Sequence, residues 1–274
     1  MKVKGLIAAY RADVVPGLVD QDRRLRVLTE IEHHFGQIEA ESITRAHVNG
    51  YAVRRRRRRP IGDGTLRLEL SALVTVLNYG KQQKLIASVP YIHLPAQPPP
   101  RDRWLTRDEV AKLREHCAQR TRLFLEIAIA TGGRPEAIYE LTWDRVDFVS
   151  RTIDFRVPGV KPTRKRRAVV PMSEALHAIL SAEIDRMIKY LRSRRSPYVL
   201  GGNESCWEGF HGACHRAGLK DVTPKTLRHT FATWAMQAGK DPWQVAGVLG
   251  DRLETVQARY AHHHPDYLRA AVEL

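Results

Sequence analysis

A chain of 274 residues is about twice the size of a usual single domain, so each half has enough material for its own hydrophobic core. Apolar residues make up 43% and charged residues 27%, which excludes a disordered polyelectrolyte, and no run approaches the roughly 20 apolar residues that span a bilayer. Lys and Arg number 45 against 30 Asp and Glu, a net charge of +15 that predicts a polyanionic partner such as nucleic acid and no membrane. The surplus begins early, because residues 1–100 already hold 16 basic and 9 acidic side chains. Met1 to Tyr10 has no apolar core followed by a small-residue cleavage site, and Cys117, Cys206 and Cys214 make an odd set, so a cytoplasmic, nucleoid-associated protein with reduced thiols is expected.

In chain order, Arg23 to Phe35 predicts a helix, and Leu66, Leu70, Leu73, Leu77 and their apolar neighbours up to Tyr79 predict another. Between them stand Arg54, Arg55, Arg56, Arg57, Arg58 and Arg59, six consecutive arginines beside Tyr51. The run reads either as a solvated, partly disordered loop or as a segment that contacts phosphates by counterion release. Residues 95–100 carry four prolines in six positions, which disfavours helix and marks a linker. The expected organisation is therefore a helical domain over 1–94, the linker, and a second domain over 101–274.

Thr106-Arg107-Asp108-Glu109 has the form of a capping box opening a helix. The helix from Arg122 to Ala130 is nearly all apolar and stops at Thr131-Gly132-Gly133, placing Arg134 at a tight turn. Thr152 to Val157 alternates as a strand and Ala168 to Val170 as its partner, predicting a basic hairpin that includes Lys161, Lys165, Arg166 and Arg167. Ser173 to Leu191 and Cys206 to Ala217 read as helices. Thr223-Pro224 opens a helix to Gln237, and Asp241-Pro242 opens a shorter one to Leu249. Helices from Leu253 to Ala261 and from Pro265 to Val272 complete a fold class that is mainly α with a small antiparallel β-sheet in the second domain.

Three segments carry the chemistry: Thr131-Gly132-Gly133-Arg134 with Leu141-Thr142-Trp143, then Thr223-Pro224-Lys225-Thr226-Leu227-Arg228-His229-Thr230, then Leu249-Gly250-Asp251 with Tyr260 nine residues on. This ordered set over residues 101–265 resembles the catalytic domain of tyrosine recombinases, the phage-integrase family related to type IB topoisomerases. The helical first half resembles that family's core-binding domain, and an arm-binding domain ahead of it is expected to be absent. The resemblance implies a site-specific recombinase that cleaves and rejoins double-stranded DNA through a 3′-phosphotyrosine. It also implies two domains clamping the duplex, a homotetramer on DNA (a monomer or weak oligomer when free), and no cofactor.

The chemistry asks for the same residue types. A strand broken without metal or ATP keeps its bond energy only in a covalent protein-phosphate ester, here on Tyr260. The charge that develops on the nonbridging oxygens suits guanidinium groups, offered by Arg134 and Arg228. Lys225 stands where the family generally has histidine, and a hairpin lysine protonates the leaving 5′ oxygen. The resemblance assigns that role to Lys161, with Lys165 as a rival. Asp251 occupies the position of a usual histidine or tryptophan; ionised, it donates no hydrogen bond and repels phosphate, so reduced activity or a merely DNA-binding regulator is the alternative expectation. Ala137 replaces a usual acidic residue, weakening support for Arg134. His229 reads as structural support within its helix. His262, His263 and His264 with Asp266 do not have metal-site spacing, and no metal is expected.

Overall fold

The computed structural model describes residues 1–99, 102–160, 166–190, 196–265 and 269–272. The chain divides into two compact units, Met1–Pro100 and Arg101–Leu274.

The first unit contains α1 (Val3–Asp13), α2 (Gln21–Phe35), α3 (Arg45–Arg58) and α4 (Asp63–Gln82). Val3, Leu6, Ile7 and Tyr10 recur at helical spacing and are buried, as are Leu28, Ile31 and Phe35 of α2 and Leu70, Leu73 and Leu77 of α4. The arginine run is helical and not a loop: Thr44 caps α3 by accepting from the His47 amide, and the helix continues to Arg58. A distant acid ties part of it to α4. Glu69 of α4, 3% exposed, accepts from the Tyr51 hydroxyl at 2.7 Å and from Arg55 Nη2 at 2.8 Å. Burial, then the hydrogen bond to Glu69, holds the Tyr51 phenol in its protonated form. Glu69→Ala would leave the largely buried Arg55 guanidinium without its nearest anion, and is expected to destabilise the full chain by roughly 3 kcal/mol in urea unfolding.

The second unit contains α5 (Arg107–His116), α6 (Gln119–Thr131), α7 (Pro135–Tyr139), β1 (Val146–Asp147), β2 (Thr152–Asp154), β3 (Val169–Pro171), α8 (Glu174–Tyr190), α9 (Trp207–Arg216), α10 (Pro224–Gln237), α11 (Pro242–Leu249), α12 (Leu253–Tyr260) and α13 (Arg269–Val272). The sheet is antiparallel in the order β1-β2-β3, with Ile153 paired to Val146 on one side and Val170 on the other. The predicted hairpin thus gains a third, two-residue strand. The capping box is formed in full, with Thr106 Oγ1 accepting from the Glu109 amide and Glu109 accepting from the Thr106 amide.

α10 packs along α6 within the main core of Phe124, Ile127, Leu141, Ile153, Leu180, Phe210 and Leu227. A second, smaller core joins Ala232 and Met236 of α10 to Val245, Ala246 and Leu249 of α11 and to Val256 and Tyr260 of α12. α10 therefore has one face in each core, and the side chains between those faces are aimed at the seam. Cys206 and Cys214 are buried free thiols; desolvation pushes Cys214 up to about 11, so it is inert at neutral pH.

Candidate functional site

The seam between α6, α10 and α11 is built on two left-handed glycines. Gly132, at φ 60°, ends α6, and a Cβ there would lie 2.5 Å from the Phe231 ring and 2.7 Å from Leu249. Gly250, at φ 61°, ends α11, and a Cβ there would lie 2.7 Å from the carbonyl oxygen of Arg166. Both positions need a residue without a side chain, because the conformation and the close approach each exclude Cβ. The chain leaving α6 delivers Arg134 at the first turn of α7. The chain leaving α11 delivers Asp251 to the same place.

Arg228, on the seam-facing side of α10, is held by backbone oxygens of both glycine turns: Nη1 donates to the Gly132 carbonyl and Nη2 to the Leu249 carbonyl, each at 2.9 Å. Arg134 donates through Nη1 to the Arg166 carbonyl. The two guanidinium groups meet on a single anion. Arg134 Nη2 lies 2.6 Å from Oδ1 of Asp251, and Arg228 Nη2 lies 2.7 Å from Oδ2. The side chains are 21%, 12% and 21% exposed for Arg134, Arg228 and Asp251, so water screens these pairs only in part. Burial and then the neighbouring Arg228 charge lower the Arg134 pKa, with Asp251 opposing that trend. The support that an acid at Ala137 would have supplied thus reaches Arg134 from Asp251 and the Arg166 carbonyl.

Tyr260 ends α12 with its ring in the smaller core, 4% exposed. Its hydroxyl lies 2.6 Å from Nδ1 of His229. Burial raises the phenol pKa, the Arg228 and Arg259 charges lower it, and Asp251 raises it. His229 is shifted downwards, chiefly by burial and then by Arg259 and Arg228, so its imidazole is neutral at pH 7. His229, expected as structural support within its own helix, thus also bonds across to α12. The signal was present: His229, Ala232, Thr233 and Met236 form an i, i+3, i+4, i+7 stripe, and Ala232 and Met236 lie in the core that holds Tyr260.

Lys225 is exposed at the start of α10 and lines a cavity of about 580 Å³ with His229, Arg103, Glu136, Tyr139 and Trp207. It makes no ion pair among the described residues. Lys161 and Lys165 lie outside the described residues, as does Asp266. Arg166 is exposed and borders a groove with Trp243, Gln244 and Asp251. Arg167 is instead tied to Glu140 at 2.7 Å. In the first unit, Arg55 is bound to Glu69, Arg56 to Asp63, and Arg58 to Glu30 at 3.1 Å. Arg54, Arg57 and Arg59 are exposed and carry no ion pair among the described residues. Only part of the run is therefore open to phosphates; Arg55 has a structural partner that sequence spacing does not reveal. Of the histidine run, His263 lies 4.0 Å from Asp102.

Residues 103–266 match the model of the phage integrase family. The integrase of Salmonella phage P22 is 27% identical over 77% of this chain and 57% of its own length. The tyrosine recombinase XerD of Corynebacterium glutamicum is 30% identical over 55% of this chain and 50% of its own length. The chain thus spans about half the length of these curated relatives. Among solved structures, the Tn1549 transposon integrase in complex with transposon right end DNA superposes with a TM-score of 0.79 at 20% identity, covering 100% of this chain and 99% of that one. A lambda integrase dimer bound to a COC′ core site gives 0.73 at 14% identity, covering 96% and 78%. With the motif residues of α6, α10 and α11 inside the matched span, the chain belongs to the phage integrase family of tyrosine recombinases.

Proposed function

We propose that this protein is a site-specific DNA recombinase in which Tyr260 attacks the scissile phosphate while Arg134 and Arg228 hold its nonbridging oxygens. The observation that carries this reading is the convergence of two fixed guanidinium groups on one two-oxygen anion, with a buried phenol under the influence of the same arginine. A carboxylate and a phosphate each present a pair of oxygens to such a fork. The Asp251 carboxylate thus occupies a seat suited to the scissile phosphate. In-line attack forms the Tyr260 oxygen–phosphorus bond and breaks the bond to the 5′ oxygen, which takes a proton from the ammonium of Lys161 or Lys165. Lys225, exposed in the first turn of α10, adds a cation on the helix that carries Arg228. A hydroxyl from the partner duplex reverses the step, and four protomers on two sites complete an exchange, with the two domains clamping the duplex.

The second reading is a DNA-binding regulator that cleaves little, and Asp251 favours it: one of the two arginine charges is already offset from within, and both guanidinium groups are engaged by its carboxylate. The test is a set of duplexes enriched for binding from a randomised pool, each nicked so that a cleaved end diffuses away. The recombinase reading expects a detergent-stable protein–DNA complex in the wild type and none in Tyr260→Phe. Binding without any such complex overturns it in favour of the regulator. Exchange of strands between two duplexes, rather than loss of supercoils alone, separates a recombinase from a topoisomerase.

A further inference from the structure

We infer that His229 is the base that takes the proton of Tyr260 as the phenol attacks phosphorus, a role that rests on the reading of Tyr260 as nucleophile. A phenol ionises poorly in an apolar core, yet attack requires its oxygen to lose hydrogen while the bond to phosphorus forms. Nδ1 of His229 is 2.6 Å from that oxygen, within direct transfer distance and with no need for a relay. The two side chains sit on different helices, α10 and α12, which the smaller core locks together through Ala232, Met236 and Val256. The rings are tilted by 48° with centroids 5.8 Å apart, so the contact is an edge hydrogen bond rather than a stack.

The surroundings keep the imidazole able to accept. Arg228 on its own helix and Arg259 of α12 disfavour its protonated form, while Asp102 and Asp251 favour it less strongly than burial opposes it. Lys225 and Arg103 line the cavity that His229 also borders, and His262 and His263 follow Tyr260 in the turn after α12. With Nε2 carrying the ring proton, Nδ1 receives the phenolic proton, the phenolate oxygen bonds to phosphorus, and the bond from phosphorus to the 5′ oxygen breaks. The hairpin ammonium protonates that leaving oxygen. On rejoining, the imidazolium returns its proton to the phenol. Arg228 thus has a neighbour in sequence that serves the nucleophile while Arg228 itself serves the phosphate.

The experiment measures single-turnover formation of the covalent complex on a nicked duplex between pH 5 and 9, for wild type, His229→Ala and His229→Asn. Asparagine places an acceptor near the site of Nδ1 but takes no proton, so it preserves the contact without the chemistry. In the wild type the rate rises as pH rises through a value below 6.5 and is level above it, since only neutral imidazole accepts. Both variants are expected to bind DNA as wild type does, to react about 10²- to 10⁴-fold more slowly, and to lose that inflection. Added imidazole restores at least tenfold to His229→Ala and nothing to His229→Asn. A His229→Asn rate within threefold of wild type, or an unchanged pH profile, overturns the inference and leaves His229 as a positioning residue, with Tyr260 still the nucleophile. Absence of any complex in the wild type instead removes the reading of Tyr260 on which it rests.

Discussion

Asp251→Asn is expected to accelerate covalent complex formation by about 10- to 100-fold and at the same time to lower the stability of the free protein. The two effects have one cause. In the free protein the carboxylate pairs with both Arg134 and Arg228, at 2.6 and 2.7 Å, and offsets one of their two charges. A phosphate entering the same fork must displace it, so the strength of those pairs is subtracted from transition-state binding, and each tenfold in rate corresponds to about 1.4 kcal/mol. Asparagine keeps the shape and loses the charge. The guanidinium groups then keep their carbonyl partners at Gly132, Leu249 and Arg166 and the one amide oxygen of the new side chain, but face one another with no anion between them. That repulsion is expected to cost roughly 1 to 3 kcal/mol in thermal or urea unfolding, partly regained by adding sulfate or DNA. The substitution also removes a negative charge that raises the Tyr260 pKa. Asp251→His is expected to accelerate further, because it can donate to the phosphate oxygen. An unchanged rate in both variants would show that Asp251 leaves the fork unaided when DNA binds, and a lowered rate that its carboxylate supports the reaction; either contradicts a competition between Asp251 and phosphate.

The second large effect is expected at Arg228. Arg228→Lys should reduce covalent complex formation by at least 10³-fold while leaving most DNA affinity intact, since the remaining basic surface supplies the sequence-independent attraction. Charge is conserved in this change, but geometry is not. One guanidinium now serves two backbone carbonyls and one anion together, and an ammonium on a flexible stem cannot span all three. The carbonyls of Gly132 and Leu249 would lose their donor at the point where both glycine turns meet, so a fall in melting temperature accompanies the loss. Arg134→Lys should be milder in stability, because Arg134 has a single carbonyl partner at Arg166. An Arg228→Lys variant that cleaves at more than a tenth of the wild-type rate would show that charge alone suffices there.

Much of this is legible in the sequence. Thr223-Pro224 and Asp241-Pro242 mark the starts of α10 and α11 because a cap followed by a first-turn proline has a local cause, and both helices begin where those signals stand. The Thr106 capping box is equally local. Illegible features depend on partners distant in sequence. The arginine run reads either as a solvated loop or as a phosphate-contacting segment, and neither reading reveals that α3 runs through it with Arg55 and Tyr51 tied to Glu69 on another helix. Strand β1 is two residues long and α7 five, too short for any periodicity to register. Helix α1 has a stripe of Val3, Leu6, Ile7 and Tyr10 but no capping side chain ahead of it, so no local signal marks its start. At the site, the motif order places Arg134, Arg228 and Asp251 in one region, and the mismatch of Asp251 with a phosphate follows from its charge. The grip of both arginines on that carboxylate depends on the close approach of the Gly132 and Gly250 turns, which no spacing in the sequence reveals.

The most direct measurement is the identity of the atom that carries DNA. The covalent complex, trapped on a nicked duplex and digested with nuclease and trypsin, is expected to yield the peptide from Tyr260 to Arg269 bearing a 3′-linked nucleotide. That peptide also contains Tyr267, so fragmentation must place the added mass on the first residue. A nucleotide on Tyr260 is the expected result; a nucleotide on Tyr267, on a histidine or on any serine would contradict the proposed chemistry.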